Sequence, residues 1–459
     1  MRAAKDNYTF LTKAPVHQVV LRMAIPTIVS MLVTSLYSMA DTYFVGQINT
    51  QCTAAVGISF SVMSVIQALG FFFGHGSGNY ISRRLGARDT HNAGRMAATG
   101  FFLSVSSGAL VALLGHLFLR DIVLALGSTK TILPYAEQYL GIVLLGAPFM
   151  TGSFTMNNQL RFQGNAALAM VGIVTGALLN VGLAPLFIFI FGMGISGAAT
   201  ATVISQMCSF CILFAMTRRD GNIHIRFSNF SPKLSFLKEI VMGGTPSLSR
   251  QGLGCVSIIM LNVAAGAFGD AAIAGMSIVT RISYFIASII IGLGQGFQPL
   301  CGFSYGAGLY ARVKEGFFYC VKIGTVFLAS VSVVCFFFAE QIVEEFRRDA
   351  AVVEVGSAAF RWQICTYPLL ATLMMANMML QTIRKPLRAN IMAASRSGLF
   401  FIPLILILPR FLGLEGVEMC QAIADVCAFA LSLPIVYSAF RDMSKAEMSK
   451  IDNQNKKEK

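Results

Sequence analysis

The sequence predicts an all-α polytopic membrane protein, with 12 transmembrane helices forming two six-helix bundles related by a pseudo-two-fold axis along the membrane normal. Of its 459 residues, 55% are hydrophobic and only 12% are charged. An average soluble domain carries about 25% charged residues, so a soluble globular enzyme and a disordered chain are both excluded. The apolar residues are also grouped in long runs, and the two halves of the chain share a pattern.

Runs of about 20 or more apolar residues are typical of helices that cross a bilayer. The runs are continuous rather than alternating, which favours helices over the strands of a barrel. The predicted spans are 17–46, 54–82, 96–119, 132–159, 166–191, 195–217, 240–266, 271–304, 316–339, 355–383, 389–412 and 415–440.

The basic residues predict the orientation of these spans. The net charge is +14, which in a soluble protein would suggest nucleic acid as a partner. Here 25 Lys and Arg residues lie on the side of the two termini and five lie on the opposite side. Because basic residues concentrate in cytoplasmic loops, both termini are predicted to be cytoplasmic. The same bias explains the charge without nucleic acid.

A shift of 220 residues brings landmarks of the two halves into register. It predicts an N-terminal bundle at 1–217, a cytoplasmic linker at 218–238, a C-terminal bundle at 239–441 and a cytoplasmic tail at 442–459. Because six is an even number, both bundles enter the membrane from the same side, which makes the repeats parallel. The matching pairs include Pro26 with Pro246, Gly74 with Gly294, Gly76 with Gly296, Pro148 with Pro368 and Asn157 with Asn377.

No motif predicts enzymatic chemistry or ATP use. The G-x-G-x-x-G match at 192–197 lies between two predicted spans instead of after a strand, so it is interpreted as a tight turn. Walker A, H-E-x-x-H and G-x-S-x-G motifs do not occur in the sequence. The chain is therefore predicted not to be an enzyme, and no cofactor is expected.

Carboxylates inside spans are informative because a charge is expensive there. Asp41 is well inside the first span, about five residues before its outer end. Asn180 and Thr202 fall at a similar depth in the fifth and sixth spans, at about 1.5 Å per residue. The three side chains could ligate a small cation such as Na⁺, or Asp41 alone could carry a proton. Asp425, in the last span, is interpreted equally well as a structural or a functional residue.

Other polar and flexible side chains interrupt the apolar helices and together predict a wet substrate cavity. Any one of them can instead be an interhelical hydrogen-bond partner. Methionine and aromatic walls suit a promiscuous site. The candidate cavity residues are Tyr37, Met63, Gln67, Asn157, Gln206, Met260 and Gln295, and the candidate helix bends are Pro26 and Pro246.

Three segments resemble the multidrug and toxic compound extrusion (MATE) family, most closely its bacterial branch. They are AIPT at 24–27 with LYSMADTYFVG at 36–46, QLRFQGN at 159–165, and GMGISGAATAT at 192–202. The resemblance covers nearly the whole chain. It implies an antiporter that exports lipophilic, often cationic compounds and imports H⁺ or Na⁺, with Asp41 as the coupling residue and Asn180 and Thr202 beside it.

One position departs from the family pattern. The bacterial branch usually has Asn-x-x-x-Asp-Pro in the fifth span, whereas this chain has Ala184 before Pro185. Ala184 lies one turn from Asn180 on the same helix face. A second carboxylate is therefore missing from the expected ion site, which makes a single proton on Asp41 more plausible relative to a two-carboxylate Na⁺ site.

These observations predict a drug exporter of the bacterial inner membrane that works by alternating access as a functional monomer. Its expected partners are the lipid bilayer and small organic cations. The alternative is a flippase for a lipid-linked sugar or polysaccharide precursor, which a cleft lined by arginines would favour. The arginines in question are Arg250, Arg281, Arg361 and Arg396.

The predicted topology can be tested with reporter fusions in a bacterium. A green fluorescent protein at the C-terminus should fluoresce, because the C-terminus is predicted to be cytoplasmic. Alkaline phosphatase inserted after Arg348 should be active, because Arg348 lies on the opposite side of the membrane, which holds only five of the loop Lys and Arg residues. Active phosphatase at the C-terminus would contradict the orientation.

Overall fold

The computed structural model describes the backbone of residues 2–455 and the side chains of residues 7–449, and this part of the chain contains helices but no strand. The helices are α1 (Arg2–Lys13), α2 (Val16–Gly46), α3 (Thr50–Gly86), α4 (Thr90–Leu117), α5 (Leu119–Ala125), α6 (Leu133–Leu145), α7 (Ala147–Phe162), α8 (Ala166–Pro185), α9 (Gly194–Thr217), α10 (Leu234–Gly266), α11 (Asp270–Ala307), α12 (Tyr310–Phe337), α13 (Ala339–Phe346), α14 (Ala350–Thr382), α15 (Pro386–Ala394), α16 (Phe401–Leu412) and α17 (Leu414–Asn455).

The prediction of twelve spans is confirmed. Within the described residues, eleven helices are long and apolar enough to cross a membrane, and the pair α6 and α7 makes a twelfth with a bend of 49°. The bend lies at Gly146, where Pro148 occupies the first turn of α7. A proline in a first turn has no N–H to satisfy, so it favours a new helix start there.

Short connections with suitable capping residues separate the long helices. The side chain of Asn49 accepts a hydrogen bond from the backbone N–H of Cys52 at 2.7 Å, and Asp89 accepts one from Asn92 at 3.1 Å. Both bonds satisfy an N–H group that has no partner inside the helix. At the end of α11, Gly308 has a φ of 76°, a left-handed conformation that glycine adopts without strain.

The first compact unit, called unit 1, contains Ile25–Gly244 together with α1. In it α3 packs against α4 and α7, and α8 packs against α9. One of its apolar clusters contains Val45, Ala55, Tyr139 and Ala184. The segment between α9 and α10 packs against α4, where the Arg95 guanidinium donates to the Ser231 hydroxyl at 2.7 Å.

The second compact unit, called unit 2, contains Ala14–Ala24 and the chain from Thr245 onward. Its α14 is the most enclosed of the candidate spans and packs against α11, α12 and α17. A π-helical segment, Ser395–Phe400, joins α15 to α16. It lies next to α10, since a Cβ on Gly398 would approach Leu253 to 2.8 Å.

The two units repeat the same contacts at a spacing of 220 residues. In unit 1 the Asn157 amide donates to the carbonyl of Ala169 at 2.9 Å, and in unit 2 the Asn377 amide donates to the carbonyl of Ala389, also at 2.9 Å. Gly74 packs against Asn158, and its counterpart Gly294 packs against Met378. The 220-residue register, inferred from landmark residues of the sequence, thus corresponds to equivalent packing in the two units.

The linker at 218–238 stays a prediction, and the two compact units meet along the chain at Gly244 and Thr245. The first turns of α10 pack within unit 1, where a Cβ on Gly76 would lie 2.4 Å from the carbonyl oxygen of Ile240. Likewise, the first turns of α2 pack within unit 2, where a Cβ on Gly296 would lie 2.4 Å from Cα of Ala24. Both Pro26 and Pro246 lie inside continuous helices close to these division points.

Gly76→Ala should destabilise the protein because the added methyl group meets the Ile240 backbone, which cannot move aside as a side chain can. Overpacking of this kind costs about 1–3 kcal/mol. The matched control in the same helix is Gly57→Ala, since no atom lies within 4 Å of its Cβ position. Thermal unfolding of the purified protein in detergent checks both, and equal Tm values would contradict the close packing.

Candidate functional site

Asp41 lies in α2, five residues before the end of that helix, and is 8% exposed. Its Oδ1 oxygen is buried and accepts no hydrogen bond from the described residues. A buried carboxylate without compensation is unfavourable in an apolar environment. Asp41 is therefore ready to accept a cation or a proton.

Asn180 and Thr202, the two residues predicted beside Asp41, contact each other. The Asn180 amide of α8 donates to the hydroxyl of Thr202 in α9 at 3.2 Å. The same hydroxyl donates to the carbonyl of Ala198 one turn earlier, at 3.1 Å. Both side chains are almost completely buried, at 2% and 3% exposure.

Two tyrosines connect this pair to the carboxylate. Tyr37 precedes Asp41 by one turn of α2, and Tyr139 comes from α6. Each tyrosine lies near both the Thr202 hydroxyl and the Asp41 carboxylate. The structure therefore places Asp41, Asn180 and Thr202 in one cluster with Tyr37 and Tyr139. The sequence analysis did not identify Tyr139, because a tyrosine in an apolar helix carries no distinctive signal.

The missing second carboxylate leaves this cluster with one negative charge. Ala184 is completely buried in the apolar cluster that also includes Leu183 and Phe187. Among the described residues, Asp41 has no basic or acidic side chain as a hydrogen-bonding or ion-pair partner. The surrounding groups are hydroxyl and amide groups, which can supply oxygen ligands to a small hard cation.

A multivalent metal site is not formed by the described residues, because no group of three or more His, Cys, Asp or Glu side chains could hold an ion. One carboxylate can be neutralised by one proton or one Na⁺. Binding of H⁺ or Na⁺ at this cluster stays a prediction.

The other candidate cavity residues occupy several environments. In unit 1, Met63 lies 4.0 Å from the Tyr139 hydroxyl, next to the Asp41 cluster. Asn157 instead holds α7 to the start of α8 through Ala169. Gln67 and Gln206 are half-buried in α3 and α9, and in unit 2 Met260 is half-buried and Gln295 is buried. Their lining of a substrate cavity stays a prediction.

Asp425 of α17 is part of a second buried polar cluster, which lies in unit 2. Its carboxylate is fully buried and accepts from Arg396 Nε at 2.7 Å and from the Gln421 amide at 2.8 Å. Thr366 lies 3.5 Å from the second carboxylate oxygen. Asp425 is thus neutralised by an ion pair, unlike Asp41, which favours the structural interpretation of this residue.

The comparison with protein families agrees with the repeat. The MatE family model matches two stretches of the chain, residues 26–186 and 252–407, which correspond to the two halves.

Related proteins cover almost the full chain. The Multidrug export protein MepA of Staphylococcus aureus is 28% identical over 437 residues, which are 94% of this chain and 96% of that protein. MepA of Staphylococcus saprophyticus matches to the same extent.

Solved structures share the fold over the same length. A MATE crystallised in complex with MaL6 has a TM-score of 0.90 at 26% identity, covering 96% of this chain and 99% of that one. An outward-facing multidrug resistance MATE family transporter of the MOP superfamily also has a TM-score of 0.90 at 26% identity, covering 95% and 98%.

The Arg396–Asp425 pair can be tested by a double-mutant cycle. Arg396→Gln leaves the Asp425 carboxylate buried and unpaired, and loss of one partner of a buried pair costs about 3–5 kcal/mol. Asp425→Asn should likewise lower Tm, while the double variant should recover much of the loss. Additive losses in thermal unfolding would show that the two side chains do not depend on each other.

Proposed function

The chain belongs to the MatE family, and on that premise we propose that it is a cation-coupled antiporter that exports lipophilic, often cationic compounds by alternating access. At the coarser level it is a multi-pass membrane transporter, and its curated relatives support drug efflux. The same relatives favour export of drugs over the flippase alternative. We place the protein in the bacterial inner membrane, with cytoplasmic termini, as a functional monomer.

The observation that carries the coupling proposal is the uncompensated Asp41 carboxylate. In the outward-open state the cluster of Asp41, Asn180 and Thr202 binds one H⁺ or Na⁺ from outside. Neutralisation removes the cost of the buried charge and lets α2 repack near Pro26. The neutral site attracts a cationic substrate less strongly, so the substrate is released.

Coupling requires that the ion and the substrate have different affinities for the two facing states. The linkage is reciprocal, so a substrate that disfavours ion binding is itself disfavoured by the ion. A single carboxylate supports this exchange because the proton or sodium ion and the organic cation compete for the same negative charge. The absence of a carboxylate at Ala184 limits the exchange at this cluster to one charge.

Asp41→Asn should abolish gradient-driven efflux of a fluorescent organic cation, because an amide cannot bind and release a proton or hold Na⁺ by charge. The measurement uses membrane vesicles in which H⁺ and Na⁺ gradients are imposed separately, which also identifies the coupling ion. Asp121→Asn is the matched control, since Asp121 is an exposed carboxylate in the same unit.

A paired comparison of threonines tests the rest of the cluster. Thr202→Ala should raise the cation concentration needed for half-maximal efflux, because it removes the hydroxyl that contacts Asn180. Thr200→Ala should not, because among the described residues the Thr200 hydroxyl bonds to Ser196 of its own helix. In the experiment on Asp41→Asn, normal gradient-driven efflux by that variant would overturn the proposed role of Asp41 in coupling.

A further inference from the structure

Four arginines lie within or near the predicted spans of the second half, and the structure sorts them into two classes. Arg361 pairs with Glu340 at 2.9 Å, and Arg396 pairs with Asp425 at 2.7 Å. Arg250 and Arg281 have no ion pair with any described residue. Arg250 and Arg281 are therefore positive charges inside the spans of unit 2 that have no carboxylate partner among the described residues.

Arg250 lies in the middle of α10, sixteen residues from Leu234 and sixteen from Gly266. At about 1.5 Å per residue it is about 24 Å from either end of the helix. Its Nη1 donates to Asn377 Oδ1 at 2.8 Å. Because the Asn377 amide is held by Ala389, the guanidinium is fixed in direction. One turn further along α10, nothing lies within 4 Å of the Gly254 Cβ position, so that helix face is open.

Arg281 lies eleven residues into α11 and is exposed, and Tyr284 on the next turn is 56% exposed. Residues three apart on a helix are neighbours, with Cβ atoms about 5–6 Å apart. Tyr284 also interacts electrostatically with Arg250. Tyr284 is therefore a neighbour of Arg281 on α11 and lies near enough to Arg250 to interact with its charge.

The fold does not need arginine at these positions. The residues related by the 220-residue repeat are Ser30, Ser61 and Ser64, which occupy the places of Arg250, Arg281 and Tyr284. Unit 1 forms the equivalent helices with these serines, and Ser30 simply bonds to the carbonyl of Pro26 in its own helix. Since unpaired charge inside a membrane is costly and is typically functional, the arginines are retained for something other than packing.

We propose that Arg250, Arg281 and Tyr284 bind the carboxylate of amphiphilic zwitterionic substrates. An arginine presents five N–H donors, and among the described residues Arg250 donates one hydrogen bond, to Asn377. A carboxylate can accept two parallel N–H bonds from one guanidinium, and the Tyr284 hydroxyl can donate a further one. This inference rests on the proposed export function and specifies its substrate class.

The test uses two dyes that differ in one group. Rhodamine B carries a cationic xanthene and a free carboxylate, and its ethyl ester keeps the cation but lacks the anion. Fluorescence polarisation measures the binding of each dye to purified protein in phosphatidylcholine nanodiscs. Arg250→Ser and Arg281→Ser install the residues of the homologous half, so both variants are expected to fold.

Each variant should weaken rhodamine B binding by about tenfold, which corresponds to about 1.4 kcal/mol, and should leave ester binding unchanged. The matched control is Arg410→Ser, which removes an exposed positive charge from the outer end of α16 in the same unit. Equal weakening for both dyes, or the same loss in Arg410→Ser, would overturn the site.

Two further arms separate the alternatives. If added phosphatidylglycerol lowered rhodamine B affinity in the wild type as much as Arg250→Ser does, the arginines would hold a lipid phosphate and the substrate assignment would fail. Wild-type protein that binds the ester but not rhodamine B would overturn the carboxylate site alone. Wild-type protein that binds neither dye and exports neither from vesicles would contradict the proposed export function as well.

Discussion

Apolar surroundings do not solvate charge, and this constraint governs the polar residues of the whole protein. Every charge inside a span must be paired, neutralised by an exchangeable ion, or placed in contact with water. Asp425 meets the requirement through Arg396. Asp41 has hydroxyl and amide groups nearby, and its Oδ1 oxygen accepts no hydrogen bond from the described residues. The difference between these two carboxylates separates a structural acid from one that can exchange a cation.

The two halves show how one helical design accommodates opposite charges. Both use the same interhelical contacts, such as Asn157 to Ala169 and Asn377 to Ala389. Because these contacts support the packing, the remaining positions are free to diverge. Unit 1 carries a carboxylate at position 41, whereas unit 2 carries basic residues at 250 and 281 where unit 1 has serines. Comparison of the two halves therefore indicates which side chains serve function and which serve packing.

Close packing of backbones provides the framework in which these side chains are held. Gly76 and Gly296 allow the first turns of α10 and α2 to approach α3 and α11 at backbone distance. Small residues permit such approach between membrane helices, where lipid and side chains are equally apolar and no hydrophobic force drives association. As a result each of α2 and α10 contributes its first turns to one unit and its remaining length to the other. The prolines at 26 and 246 lie close to these transitions.

By itself, the sequence determined the number of spans, the 220-residue repeat, the family resemblance and the depth of Asp41, Asn180 and Thr202. The resemblance comes from motif residues, whereas the spans, the repeat and the depths follow from composition and spacing, because a bilayer imposes helix length and penalises charge wherever it occurs along the chain. Only the tertiary structure decided which side chains meet. It brought Tyr139 to the Asp41 cluster and paired Asp425 with Arg396, while Arg250 and Arg281 have no carboxylate partner among the described residues. Contacts between helices depend on how each helix is rotated about its axis, and in helices that are apolar on every side the hydrophobic pattern does not specify that rotation.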